Sequence, residues 1–256
     1  MMLHFRNTDI YYTAKGTGNP LVFLHGFLES SKIWKAFIPR LAKKRQVICI
    51  DLPGHGKSGL NNDIHSMELM AEVVKSVLDH LEIDRATIVG HSMGGYVALA
   101  FCEKYPDNTR GLVLMNSTPL GDSDEKKINR DRSIIVAERN KKSYINAAIS
   151  GLVTPENNLK YQREIDDLKA VANTFPTKGI TAALKGMKIR TNKKEVLKRF
   201  NNFKFIISGK NDPIMPYNEI KTIAKECKCT FISMPDGHLS YLENFSTIDN
   251  FVHFID

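Results

Sequence analysis

Gly90-His91-Ser92-Met93-Gly94 has the residue types and spacing in this chain that point most directly to chemistry. A serine that stands clear of a sheet edge needs the chain to pass from strand to helix in one tight, strained turn. The residues two before and two after it then approach so closely that only glycine, or something very small, fits. Gly90 and Gly94 meet that demand. The apolar residues 86–89 before them and a helix-prone stretch from Gly95 supply the strand and the helix. Gly95 and Ala98 let that helix lie close to the strands. Ser92 then sits near a helix N-terminus, whose free N–H groups and positive dipole end favour a developing oxyanion. The chemistry implied is nucleophilic attack on a carbonyl.

A serine hydroxyl at its free pKa is a weak nucleophile. It needs a base, and the base needs an orienting group. For a serine on such a turn in an α/β sheet, the partners are expected in the order serine, acid, histidine, on loops at strand C-terminal ends. Of eight histidines, His238 and His253 follow residue 200. His253 lies beside Phe251, Val252 and Phe254 in a helical stretch, where a packed or surface role is expected. His238 follows residues 230–234 through Pro235-Asp236-Gly237 and is the expected general base. Asp212 follows residues 203–208 through Gly209-Lys210-Asn211 and precedes Pro213, a loop position by chain chemistry. It is the expected acid, because the earlier strand at 112–115 ends in Asn116-Ser117-Thr118 without a carboxylate. Asp236 is the competing carboxylate, with shaping the turn as its expected role.

A tetrahedral oxyanion requires two aimed N–H donors. One is expected from Met93, directly after the serine. The other should come from His25-Gly26-Phe27-Leu28-Glu29-Ser30, where Gly26 lets the backbone turn inward and the N–H of Phe27 is the candidate. His25 is expected to brace that loop rather than to react. Asp51-Leu52-Pro53-Gly54-His55-Gly56-Lys57-Ser58 resembles a phosphate-binding loop, but that motif needs glycine five residues before Gly56, where Asp51 stands. It reads as a tight turn at a sheet edge.

These residues need a scaffold, and the apolar patterning provides one. Residues 3–5 and 10–13 read as two strands joined at 7–9. Residues 21–24, 47–50, 86–89, 112–115 and 203–207 are continuous apolar runs, the pattern of parallel strands covered on both faces. Helices are expected at 34–42, 67–81 and 96–105. Met67, Met70, Val74, Val77, Leu78 and Leu81 recur at three- and four-residue spacing, which marks one apolar face. A helix at 217–227, a strand at 230–234 and a closing helix at 242–254 follow. The alternation argues for an α/β domain with a mainly parallel sheet. Residues 120–200 interrupt it with helix-prone sequence, expected as helices at 123–140, 156–174, 180–187 and 193–200. The expected domains are a core of residues 1–119 and 201–256 with a helical insertion at 120–200.

Composition excludes several classes. With 42% hydrophobic and 25% charged residues the chain is neither disordered nor, lacking an apolar run of about 18 residues, membrane-spanning. No signal-peptide core is present in the first residues, so a cytoplasmic location is expected. Cys49 and Cys102 read as small buried thiols. Cys227-Lys228-Cys229 has no matching His or Cys cluster, so no metal site is expected. The net charge is +8, and residues 121–200 hold all the excess, with 18 basic and 10 acidic side chains. That block could steer an anionic ligand, although a solvated helical surface explains it as well. It lacks the interleaved aromatics of a nucleic-acid site.

Taken with the His-Gly-Phe after a strand, the Asp51–Ser58 turn, Gly90-His91-Ser92-Met93-Gly94-Gly95, Gly209-Lys210-Asn211-Asp212-Pro213 and Gly237-His238, the chain resembles the α/β-hydrolase fold family. The resemblance implies an eight-stranded, mostly parallel sheet with a helical cap inserted after strand six. It also implies Ser92 as nucleophile, Asp212 as acid, His238 as base, and the Phe27 and Met93 amides as the oxyanion hole. Relatives that dehalogenate alkanes or open epoxides use an aspartate nucleophile, which argues against those activities here. Among serine members the chain is similar to carboxylesterases, carbon–carbon bond hydrolases, cofactor-free haloperoxidase-like esterases and menaquinone-pathway lyases. The expected activity is hydrolysis of a carboxylic ester or related small acyl substrate, without metal or organic cofactor, nucleic acid or membrane. The alternatives are a carbon–carbon hydrolase or lyase acting on an anionic substrate, and a ligand receptor of low turnover.

Overall fold

The computed structural model describes residues 1–60 and 62–255. Eight strands form one sheet: β1 (Met2–Phe5), β2 (Thr8–Lys15), β3 (Asn19–Leu24), β4 (Arg45–Ile50), β5 (Ala86–His91), β6 (Thr109–Met115), β7 (Lys204–Gly209) and β8 (Thr230–Met234). Their order across the sheet is β1-β2-β4-β3-β5-β6-β7-β8. The first two pairings are antiparallel and the rest parallel. The central strands are buried on both faces, as their unbroken apolar runs require. Each of the eight expected strands is present.

The helices are α1 (Ile38–Leu41), α2 (Met67–His80), α3 (Met93–Lys104), α4 (Asp124–Arg139), α5 (Lys141–Ser150), α6 (Pro155–Lys160), α7 (Gln162–Asn173), α8 (Thr177–Ile189), α9 (Lys194–Arg199), α10 (Tyr217–Glu226), α11 (Ser240–Glu243) and α12 (Phe245–Phe254). Helices α4 to α9 all lie between β6 and β7. In α2 the periodic residues face the core, and Ser66 caps its start by accepting from the Leu69 N–H. Among the described residues no helix is long and apolar enough to cross a membrane. Cys49 and Cys102 are buried free thiols, as their apolar surroundings suggested.

Three helical expectations need correction, and one helix was not expected. Residues 34–42 do not form one helix, because Pro39 lacks the N–H that a continuing helix would use. A 3-10 turn at Ser31–Trp34 precedes α1 instead, and Trp34 packs against Phe23 with ring centres 4.9 Å apart. Residues 156–174 break at Tyr161, whose hydroxyl donates to the Glu243 carbonyl. Residues 242–254 break at Asn244 (φ −127°). The unexpected helix is α5, capped by the Asn140 side chain and buried through Ile145 and Ile149 only. Two apolar residues one turn apart are too weak a periodicity to read from sequence.

Helix α8 reaches the sheet edge through glycine. A Cβ at Gly186 would overlap the His65 carbonyl, and a Cβ at Gly179 would stand 2.7 Å from the Gly54 carbonyl. Gly186→Ala should raise helix propensity by about 1 kcal/mol. The obstacle is rigid backbone, however, and overpacking costs about 1–3 kcal/mol. A net loss of about 1 kcal/mol is expected in urea unfolding. An unchanged or raised midpoint would show that α8 shifts freely.

Candidate active site

Ser92 is held between β5 and α3 with φ 48°, a left-handed conformation that side chains rarely adopt. Its own N–H donates to the Met115 carbonyl at 2.9 Å, and its carbonyl accepts from Gly95 N–H and from the Ser117 hydroxyl. A Cβ at Gly90 would overlap the Gly94 carbonyl, and one at Gly94 would overlap the Leu24 carbonyl. Helix α3 begins at Met93, immediately after the serine and not three residues later.

The structure brings Ser92, Asp212 and His238 together. His238 Nε2 lies 2.9 Å from Ser92 Oγ, and His238 Nδ1 lies 2.8 Å from Asp212 Oδ2. Asp212 also accepts from the Ile214 and Met215 N–H groups through Oδ1, and from Asn116 Nδ2 at 3.0 Å through Oδ2. Burial alone would raise its carboxyl pKa. The His238 charge and hydrogen bond, then Asn116 and the Met215 N–H, outweigh burial and hold it below the ordinary range. Asp236 points elsewhere and accepts from Asn157 Nδ2 at 3.3 Å. His253 stays on α12, its ring 4.9 Å from that of Phe254.

Phe27 lies on the loop after β3 and lines the same cavity as Ser92. The N–H groups of Phe27 and Met93 donate to no other group among the described residues. His25 braces this loop: Nδ1 donates to the Gly26 carbonyl at 2.7 Å and Nε2 accepts from Leu52 N–H at 2.9 Å. The turn after β4 is organised by Asp51, which accepts from the Ser31 and Lys57 N–H groups.

A second buried network was not legible beforehand. Glu29 and His91 appear in the sequence only as loop and turn residues. In the structure Glu29 Oε2 accepts from Gly26 N–H at 2.6 Å and from His91 Nδ1 at 2.9 Å, while Oε1 accepts from the Tyr241 hydroxyl at 2.9 Å. His91 Nε2 donates to the His238 carbonyl at 2.9 Å. Both His91 nitrogens therefore face acceptors, the arrangement of an imidazolium. These bonds tie the Phe27 loop to the backbone of His238. The His238 N–H in turn donates to the Leu152 carbonyl, between α5 and α6, at 3.1 Å.

The cavity beside Ser92 has a volume of about 190 Å³. Core loops contribute Phe27, Ser92 and His238 to its wall, and the helices after β6 contribute Arg130, Tyr144 and Met187. Position at the strand C-terminal edge is where open α/β sheets bind ligands.

Comparison with known proteins agrees with this architecture. Residues 19–140 match a family model described as the alpha/beta hydrolase fold. A thermophilic esterase from Thermogutta terrifontis superposes with a TM-score of 0.90 at 29% identity, covering 96% of this chain and 92% of that one. The chain is an α/β-hydrolase-fold protein. Over 106 residues the chain is 41% identical to a dihydrolipoyllysine-residue acetyltransferase component of an acetoin cleaving system of Pseudomonas putida, covering 41% of this chain and 29% of that one. Over 106 residues it is 37% identical to a 2-hydroxy-6-oxo-2,4-heptadienoate hydrolase of Pseudomonas putida, covering 40% and 38% of the two chains. The chain spans about a third of the length of these curated relatives.

The Glu29–His91 pair sets a pH dependence of stability. For Glu29, burial would raise the pKa, but the charge and hydrogen bond of His91, then Gly26 N–H and Tyr241, hold it below the ordinary carboxylate value. For His91, burial would lower the pKa, but the charge and hydrogen bond of Glu29, then the His238 carbonyl, lift it above 6.5. The raised histidine contributes fully below pH 6.5, and its contribution is lost as pH rises through the folded value. The depressed glutamate contributes above its unfolded range and is lost in acid. Glu29→Gln should lower unfolding free energy at pH 6 by about 3 kcal/mol. It should also flatten the decline of stability above pH 6.5. Parallel wild-type and variant urea curves from acid to alkaline pH would refute the pairing.

Proposed function

We propose that this α/β hydrolase cleaves a carboxylic ester or related acyl substrate through an acyl-enzyme on Ser92. The observation that carries this reading is the unbroken line Ser92 Oγ, His238, Asp212, with contacts of 2.9 and 2.8 Å, on the strained turn after β5. His238 Nε2 takes the hydroxyl proton as Ser92 Oγ attacks the carbonyl carbon. The Asp212 carboxylate holds the ring and stabilises its charged form. The tetrahedral oxygen is taken up by the Phe27 and Met93 N–H groups, which donate to no other group among the described residues. Collapse breaks the bond to the leaving oxygen, which receives the proton from His238. Water then attacks the acyl-serine while His238 accepts its proton, and Ser92 Oγ leaves with that proton. Residues 120–200 serve as a cap, placing Arg130, Tyr144 and Met187 over the serine.

Likeness to the heptadienoate hydrolase favours a second reading, in which the same three residues hydrolyse a carbon–carbon bond. Side-by-side assay of a carboxylated vinylogous diketone and of simple esters separates the two.

Ser92→Ala should reduce hydrolysis of p-nitrophenyl butyrate by at least about 10⁴-fold, and Asp212→Asn by about 10⁴-fold. A fluorophosphonate should label wild type and not Ser92→Ala. Turnover that survives Ser92→Ala in purified protein would end the reading.

A further inference from the structure

The cavity beside Ser92 is lined by one residue of fixed positive charge. Arg130, on α4, is the only one of the 18 Lys and Arg side chains in residues 121–200 that lines the Ser92 cavity, among the described residues. Its Nε donates to Asp122 Oδ2 at 3.1 Å, which fixes the direction of the guanidinium. Its two Nη groups donate to nothing among the described residues, and its side chain is 23% exposed.

Asp122 does not cancel this charge. Its side chain is fully buried and is shared with Arg190, whose Nη1 lies 2.8 Å from Oδ1. Arg190 is spent on structure: Nε donates to the Leu120 carbonyl, Nη1 to the Met187 carbonyl, and the guanidinium stacks 4.0 Å over Tyr96. Two guanidiniums and one carboxylate leave one positive charge, and its free donors are those of Arg130. Asp212, the other carboxylate near the serine, is turned to His238, Asn116 and the Ile214 and Met215 N–H groups. Glu29 is paired with His91, and its oxygens already accept three hydrogen bonds. A part-buried, oriented guanidinium with a free fork of N–H donors matches the two oxygens of a carboxylate.

We propose that Arg130 is a carboxylate-binding residue of this pocket and that the substrate is a small ester bearing a second, ionised carboxylate. This rests on the ester-hydrolase reading above and adds the substrate's charge to it. A cavity of about 190 Å³ favours short arms, with few carbons between the scissile carbonyl and the carboxylate.

The test compares monoethyl glutarate and monoethyl adipate with ethyl valerate and ethyl hexanoate in a pH-stat, using the full chain. Charge-assisted hydrogen bonds of this kind are worth about a 10- to 100-fold preference. Wild type should therefore favour the carboxylated member of each pair at least tenfold in kcat/KM, and Arg130→Met should collapse that ratio through KM. Arg130→Lys, which keeps the charge and loses the fork, should restore part of it. Calorimetry of monoethyl glutarate with Ser92→Ala reads binding without turnover, and adding Arg130→Met should weaken it at least tenfold. Equal turnover of charged and neutral esters, or a ratio that Arg130→Met leaves intact, overturns the subsite and leaves the Ser92 chemistry standing. Arg130-dependent binding of monoethyl glutarate without hydrolysis of any ester keeps the subsite and overturns the hydrolase reading. Absence of both overturns both.

Discussion

The Gly94 carbonyl stands where a side chain at position 90 would begin, and the Leu24 carbonyl stands where one at position 94 would begin. Three backbone segments thus meet without side chains between them, and that contact sets the height of Ser92 above the sheet. The serine pays with a left-handed φ of 48°, a conformation that persists only because the surroundings over-determine it. The Met115 carbonyl, the Ser117 hydroxyl and the first turn of α3 all hold the Ser92 backbone. Strain of this kind is maintained by β3, β5 and β6 together, so the reactive geometry is a property of the sheet and not of the turn alone.

Around that turn lie two histidine–carboxylate pairs with different chemistry. His238 faces an acceptor on one nitrogen and a hydroxyl on the other, so it can shuttle a proton. His91 faces acceptors on both, one of them the His238 carbonyl, and is committed to its charge. A buried ion pair adds little net stability over an apolar packing, but breaking one is costly. The Glu29–His91 pair therefore acts as a rigid strut between the Phe27 loop and the His238 loop. His238 thus takes its backbone placement from a second histidine that is committed to its charge.

The strands and the residues on their C-terminal loops were legible in the sequence for a common reason. Apolar runs such as 86–89 mark a buried strand, and glycine-bracketed turns mark where the chain leaves it. Ser92, Asp212 and His238 could be singled out because each stands on such a loop, and the fold brings them within hydrogen-bond reach. Glu29, His91 and Asn116 could not, because their importance comes from partners distant in sequence: Tyr241, the His238 carbonyl and Asp212. The helices after β6 were legible only in outline. Their apolar faces are broken by polar residues that bond across elements, as at Tyr161, and α5 buries too little to show a period. Arg130 was one basic residue among 18 in that stretch until the fold placed it on the cavity wall.

The bond from the His238 N–H to the Leu152 carbonyl joins the imidazole's own residue to the helical layer above it. Nearby, Asn157 Nδ2 donates to Glu243 Oε1 at 2.7 Å and the Tyr161 hydroxyl donates to the Glu243 carbonyl. One corner of that layer is thereby riveted to the loop that aligns the ring. Displacing that corner would pull on the backbone that carries the imidazole, so the placement of the ring and the seating of the helices depend on the same few bonds.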